Sequence, residues 1–300
     1  MKVRFGHREM EFPSPELSEL NDSNQLLGDA AALRQRLQRD GFLFLRGLID
    51  REAVTEARTT IMQYMSEQQA LVPNEPVLEG VMPSGGKSVP MMGHKGITSV
   101  PQVRRVLAAP ELFTIFEQVF DGPALTFDYK WLRAVGNEQY TSAHYDIVYM
   151  GRGSARLHTT WIPLGDFNVQ QGTLAMVAGS HDAPSYEKLR QTYGKMDVDR
   201  DLVEGWFTKE PMEITEKFGG QWATANFQMG DVMIFGMYMM HASTTNLTNR
   251  FRLSCDVRFQ PQTDEVDERW VGDQPMGHYA YCKEPVQTKS MQTARAEWGL

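Results

Sequence analysis

The pattern of apolar and polar positions changes character near Gly122. Before it, apolar residues recur at helical spacing. Leu26, Leu27, Ala30, Leu33 and Leu37 predict a helix over 24–39, with Gly41 placed where it should stop. Phe42-Leu43-Phe44-Leu45 predicts a short strand. Asp50 is a good N-cap for a second helix reaching about Gln69. The stretch 70–100 is crowded with proline and glycine and predicts a long loop, and Pro110 opens a further helix over 111–119. After Gly122, short runs rich in Val, Ile, Phe, Tyr and Thr alternate with turn residues: 124–134, 144–150, 156–164, 173–177, 221–227, 231–240 and 251–260. Many short strands with frequent turns predict a sandwich or barrel. The segment 182–218 interrupts them; it is polar, helix-prone and charged, and predicts an excursion folded over the mouth of the barrel.

Composition adds few constraints. The chain is 41% hydrophobic and 23% charged, enough for a real core, and its net charge of −8 argues against nucleic acid as a partner. No run approaches the ~18–20 apolar residues of a membrane span. Met1-Lys2-Val3-Arg4-Phe5 leads into mixed charge rather than an apolar run, so no secretory signal is expected. Two cysteines, Cys255 and Cys282, are too few for a disulfide framework, and a reducing cytoplasm is the expected compartment. Eighteen methionines predict either a pliable core or a greasy substrate pocket.

The chemistry gathers around His144-Tyr145-Asp146, His241 and Arg252. On a strand, residues two apart share a face, so His144 and Asp146 would project together, and His241 would end a neighbouring strand. Two imidazoles and one carboxylate can hold divalent iron while leaving open positions, the ligand set of non-haem Fe(II) oxygenases. Arg252 could supply the fixed positive fork that a dicarboxylate needs. The bland alternatives are a histidine bonded to its neighbouring carboxylate and a surface Arg252–Asp256 pair. Strand parity argues against the second. Arg252, Ser254, Asp256 and Arg258 fall on one face, with Leu253, Cys255, Val257 and Phe259 on the other, as in a polar interior wrapped by an apolar layer. By the same parity Met237 and Met239 share the face of His241 and are candidates for the substrate-pocket lining, while Tyr145 and Tyr149 point away.

Longer motifs sharpen this. Met229-Gly230-Asp231-Val232-Met233-Ile234-Phe235, His241-Ala242-Ser243 and Phe251-Arg252-Leu253-Ser254 stand in order after Trp161-Ile162-Pro163-Leu164-Gly165-Asp166, Gln171-Gly172-Thr173-Leu174 and Ala178-Gly179-Ser180-His181. Arg39-Asp40-Gly41-Phe42-Leu43-Phe44-Leu45-Arg46-Gly47-Leu48 opens the set. Over roughly residues 30–260 the chain resembles the phytanoyl-CoA hydroxylase family of Fe(II)/2-oxoglutarate dioxygenases. The resemblance implies His144, Asp146 and His241 as iron ligands, with Arg252 and Ser243 on the far carboxylate of 2-oxoglutarate. It implies Trp161 in the co-substrate pocket and offers Lys95, or His94, from the preceding loop. Relatives often carry a lysine where this chain has Ala134, which leaves the second co-substrate contact open. Halogenating relatives replace the carboxylate by a small residue; Asp146 therefore points to hydroxylation or a related oxidation.

The resulting expectation is a mainly β protein with flanking helices, a double-stranded β-helix (jelly-roll, cupin-like) barrel. It is read as one domain: a helical region and loop over 1–122, the barrel over 123–260 with the 182–218 lid, and a tail over 261–300. Trp270, Tyr279 and Tyr281 of that tail could pack across a homodimer or onto the pocket. Iron, 2-oxoglutarate and O2 are the implied cofactor and co-substrates, and succinate and CO2 the by-products. The molecule oxidised is expected to be a small natural product or metabolite. An acyl-CoA hydroxylase, or a metal-binding cupin-like protein that does not use 2-oxoglutarate, remain the alternatives.

Overall fold

In the computed structural model, residues 1–84, 89–279 and 288–300 are described. The chain opens with a hairpin, β1 (Lys2–Phe5) and β2 (Arg8–Glu11), and a short strand β3 (Leu17–Glu19). None of these three shows in the apolar pattern, because their polar sides outnumber the few buried anchors such as Val3, Phe5 and Leu17. Helix α1 (Ala30–Asp40) starts where Asp29 accepts from the Ala32 N–H and stops at Gly41, whose φ of 82° suits glycine. Strand β4 (Phe42–Leu45) and helix α2 (Arg51–Glu67), capped by the Asp50 carboxylate, follow as predicted. Helices α3 (Pro101–Leu107) and α4 (Pro110–Phe120) both begin on a proline. The first of them was not expected from the sequence.

The remaining strands are β5 (Ala124–Thr126), β6 (Trp131–Val135), β7 (His158–Pro163), β8 (Leu174–Val177), β9 (Trp222–Thr224), β10 (Val232–Gly236), β11 (His241–Ser243) and β12 (Arg252–Pro261). Six strands form one sheet, in the order β4-β10-β7-β12-β5 with β6 also paired to β12; four form another, β11-β8-β9-β3. The inner faces of the two sheets pack on each other through Phe44, Trp161, Met233 and Phe235 on one side and Leu174, Met176 and Ala225 on the other. This is the two-sheet arrangement of a double-stranded β-helix, but among the described residues the strand ladder does not close into a barrel. An isolated bridge between His144 and His241 joins the mouth segment to the smaller sheet.

Helices α1 to α4 cover the outer face of the large sheet. Leu253, Cys255, Val257 and Phe259 of β12 meet Leu33, Val54, Val106 and Phe116 there, so the alternation of that strand reads correctly. Leu253 is wholly buried in this layer. Leu253→Ala is expected to cost about 2–5 kcal/mol, seen as a lower urea midpoint with an unchanged denaturant slope. The 182–218 segment carries short helices α6 (Glu187–Gln191), α7 (Val198–Asp201) and α8 (Met212–Phe218); α5 (Ile147–Met150) precedes them and α9 (Met291–Trp298) ends the chain. Apolar residues of the segment (Tyr186, Leu189, Tyr193 and Ile214) pack with Val177 and Trp222 on the outer face of the small sheet. Among the described residues, no helix is long and apolar enough to cross a membrane.

Candidate active site

The run 144–150 was expected to be a strand, and it is not. His144 makes a single β-bridge, and Asp146 then begins the one-turn helix α5. The two side chains converge all the same, because the chain turns between them instead of alternating. His144 Nε2 lies 3.5 Å from Asp146 Oδ1, and His241 Nε2 lies 3.7 Å from the same oxygen. One atom from each of the three residues falls within 4.8 Å of the other two, a group able to hold a metal ion.

The orientation of each group suits that role. His144 Nδ1–H donates to the Ser142 carbonyl at 2.8 Å and His241 Nδ1–H to the Met239 carbonyl at 2.9 Å. Each backbone bond fixes the tautomer and leaves the Nε2 lone pair facing the centre. Burial, reinforced by His144, pushes the His241 imidazole down to about 3, so it is neutral at ordinary pH, as a metal ligand must be. Burial pushes the Asp146 carboxyl up, but Arg258, His241 and His144 outweigh it and hold it well below the usual carboxylate range. Its Oδ2 accepts from the Thr159 hydroxyl and lies 3.2 Å from Arg258 Nη2, which leaves Oδ1 to the histidines.

These residues line a cavity of about 370 Å³ between the sheets, within the range of small-molecule sites. Arg252, Ser243 and Trp161 line it too. The Arg252 guanidinium carbon stands 5.7 Å from the centre of the Trp161 ring, and Nη1 donates to the Ser254 hydroxyl. Its Nε is buried without an acceptor among the described residues. Burial pushes this guanidinium down to about 10, so it is still charged at neutral pH. Ser243 Oγ accepts from the Thr141 N–H at 2.8 Å, which leaves the hydroxyl proton free to be donated. A buried, charged, under-bonded arginine in a cavity that also presents the Ser243 hydroxyl fits a carboxylate. Asp256 is not its surface partner; Asp256 pairs with Arg133 at 3.2 Å inside the same cavity.

Three expectations need correction. Met237 and Met239 do not line the cavity. Strand β10 ends at Gly236, the chain turns, and parity no longer relates them to His241; Met237 packs with Trp131 and Trp270, and Met239 with Phe42 and Trp161 in the sheet interface. Lys95 is also elsewhere, in a small separate pocket with His94, Arg104 and Lys130. The bridge between Gly93 and Lys130 holds the loop so that Met92, not Lys95, reaches the cavity. Tyr149, expected to face away, lines the cavity with its ring centre 5.7 Å from that of His144. The turn into α5 reverses the face that strand parity assigned to it.

Other lining residues were not singled out as site residues from the sequence. Arg133 and Trp131 face inward from β6 while Ala134 packs outward against the helical layer. Thr159 and Arg258 are opposite one another in the β7–β12 register. Arg258 was legible as a partner of Arg252 on one strand face, but nothing local showed what it touches. Trp206 from the 182–218 segment and His278 from the tail complete the wall. The tail packs onto the pocket: Trp270 is buried 5.0 Å from Trp131 between ring centres. Tyr279 accepts from Arg152 at 2.6 Å, while Tyr281 and Cys282 lie outside the described residues.

A model of the phytanoyl-CoA dioxygenase (PhyH) family matches residues 37–254. Among curated proteins, the chain is 26% identical over 260 residues to the 1-deoxypentalenic acid 11-beta-hydroxylase of Streptomyces exfoliatus, covering 82% of this chain and 86% of that protein. The enzyme of the same description from Streptomyces arenae is 26% identical over 265 residues, with 81% and 86% covered. Among solved structures, the non-haem alpha-ketoglutarate-dependent carbocyclase SnoK from nogalamycin biosynthesis superposes with a TM-score of 0.56 at 15% identity, covering 90% of this chain and 98% of that one. EctD from S. alaskensis, solved with 2-oxoglutarate and 5-hydroxyectoine, gives 0.56 at 15% identity with 93% of each covered. At such identities the structures speak for the fold.

Proposed function

The chain belongs to the phytanoyl-CoA dioxygenase family and is a non-haem iron, 2-oxoglutarate-dependent dioxygenase; from that premise we propose that His144, Asp146 and His241 hold the iron and that Arg252 and Ser243 grip the far carboxylate of 2-oxoglutarate. The reaction is the oxidation of a C–H bond in a small, partly apolar natural product or metabolite. Substrate, O2 and 2-oxoglutarate give hydroxylated product, succinate and CO2. Bound iron supplies the activation of dioxygen, chemistry that no side chain can perform. The observation that carries the reading is the convergence of two Nε2 atoms and one carboxylate oxygen, with both Nδ1 atoms tied to backbone carbonyls.

The protein's own part is placement. Thr159 and Arg258 restrain Asp146 from behind, so one oxygen remains for the metal. Trp161 lies between the co-substrate arginine and the sheet interface and limits the space open to the dicarboxylate. Tyr149, Trp131 and Trp206 give the rest of the cavity an apolar wall that keeps water from the reacting centre. That the curated relatives are described as hydroxylases supports hydroxylation as the outcome. Purified protein given Fe(II) and 2-oxoglutarate without oxygen is expected to show a metal-to-ligand absorption band, and to form succinate once air is admitted. A protein that shows neither is not this enzyme.

A further inference from the structure

The cavity carries more positive charge than iron and 2-oxoglutarate account for. Among the described residues its charged lining is Arg133, Arg252 and Arg258 against Asp146 and Asp256. Doubly positive iron and doubly negative 2-oxoglutarate cancel, so the loaded cavity keeps three arginines against two aspartates, a surplus of one positive charge. Arg133 is matched by Asp256, and Arg252 by the far carboxylate in the reading above. The surplus therefore stands at Arg258, whose neighbour Asp146 is shared with the metal.

Arg258 is built to receive something. Its side chain is 4% exposed, its guanidinium carbon sits 4.6 Å from the centre of the Trp131 ring, and Nη2 reaches Asp146. Nε and Nη1 are both buried with no acceptor among the described residues. Buried donors of a charged group are rarely left empty. Arg252 and Arg258 face the same side of β12 but are six residues apart, about 20 Å of extended backbone. They therefore serve different ends of the cavity. The Arg258 end is the one walled by Trp131, Tyr129 and Tyr149, and the iron ligands stand beside it.

We propose that Arg258 anchors a carboxylate on the molecule being oxidised, so that the substrate is an organic acid whose apolar body lies against Trp131 and Tyr149. This rests on the iron and 2-oxoglutarate reading above, and it goes further by assigning the class of substrate and the residue that selects it. One carboxylate neutralises the surplus charge and satisfies the open donors, and the remaining wall is aromatic.

The test uses protein loaded anaerobically with Fe(II) and 2-oxoglutarate. Cyclohexanecarboxylate and 1-adamantanecarboxylate are each compared with their primary amides, followed by the change in the absorption band and by calorimetry. At least one acid is expected to bind tenfold or more tightly than its amide. Arg258→Met should bring that ratio near one, and Arg258→Lys should keep most of it. Equal binding of acid and amide, silence from both acids at millimolar concentration, or a preference that survives Arg258→Met overturns the proposal. Arg258 also restrains Asp146, so where Arg258→Met loses the 2-oxoglutarate band or fails to fold, the acid-to-amide ratio of the unaltered protein decides. Because the band forms before any acid is added, its absence in the unaltered protein strikes the iron reading, whereas a missing acid preference strikes Arg258 alone.

Discussion

His241→Ala is expected to lower Fe(II) affinity by more than about 100-fold, beyond the range for losing an outer-shell partner, and to remove measurable succinate formation. The imidazole contributes one of three ligand atoms, and among the described residues its Nδ1–H donates to the Met239 carbonyl. Little else should change, so circular dichroism and the urea midpoint should stay near those of the parent. Anaerobic titration with Fe(II) reads the first effect and a succinate assay the second; turnover close to the parent would remove His241 from the metal site. Asp146→Ala is a poorer test of the same idea. It strips Arg258 of its carboxylate as well as the metal of its ligand, and an uncompensated buried charge costs about 3–5 kcal/mol. Loss of iron and loss of fold would then arrive together.

Arg252→Met should separate co-substrate binding from stability by moving them in opposite directions. Truncating one partner of a buried, hydrogen-bonded charge pair costs about 2–5 kcal/mol, so the KM for 2-oxoglutarate should rise from about 30-fold to a few thousandfold. The ligand-free protein should become more stable. Burial lowers the folded-state pKa of Arg252 to about 10, below its unfolded value. The charged form is thus disfavoured by folding at every pH below about 10, and this penalty fades only as pH rises through that value. Removing the guanidinium removes the penalty. A purely structural arginine would instead lower the melting temperature on removal and leave KM alone. Turnover indifferent to Arg252→Met would favour a cupin-like metal enzyme that does not use 2-oxoglutarate.

Much of the frame was legible because it depends on local rules. Asp29, Asp50 and Gly41 mark helix ends through their own side chains or backbone preference. The alternation of β12 separated Arg252 and Arg258 from Leu253 and Val257 because a strand has two faces and one of them meets the helical layer. The misplaced strand residues share one cause. At 144–150 and again after Gly236 the chain leaves the strand, and parity has no meaning once the backbone turns. Tyr149, Met237 and Met239 were misplaced on that account. Lys95 was misplaced because a single bridge between Gly93 and Lys130, distant in sequence, decides which side of the loop faces the cavity.

By itself, then, the sequence determined the residue types that chemistry requires and the elements that carry them: two histidines, a carboxylate, an arginine and a serine in an order shared with a known family. Spacing and periodicity are one-dimensional, and ligand identity can be read in one dimension. Only the tertiary structure decided how Asp146 is held, since Thr159, Arg258 and His241 reach it from three separate segments and His144 from its own. It alone showed that Arg133 is neutralised by Asp256 while Arg258 keeps open donors. Charge balance inside a cavity depends on which groups face each other across the sheets, and that is settled by packing.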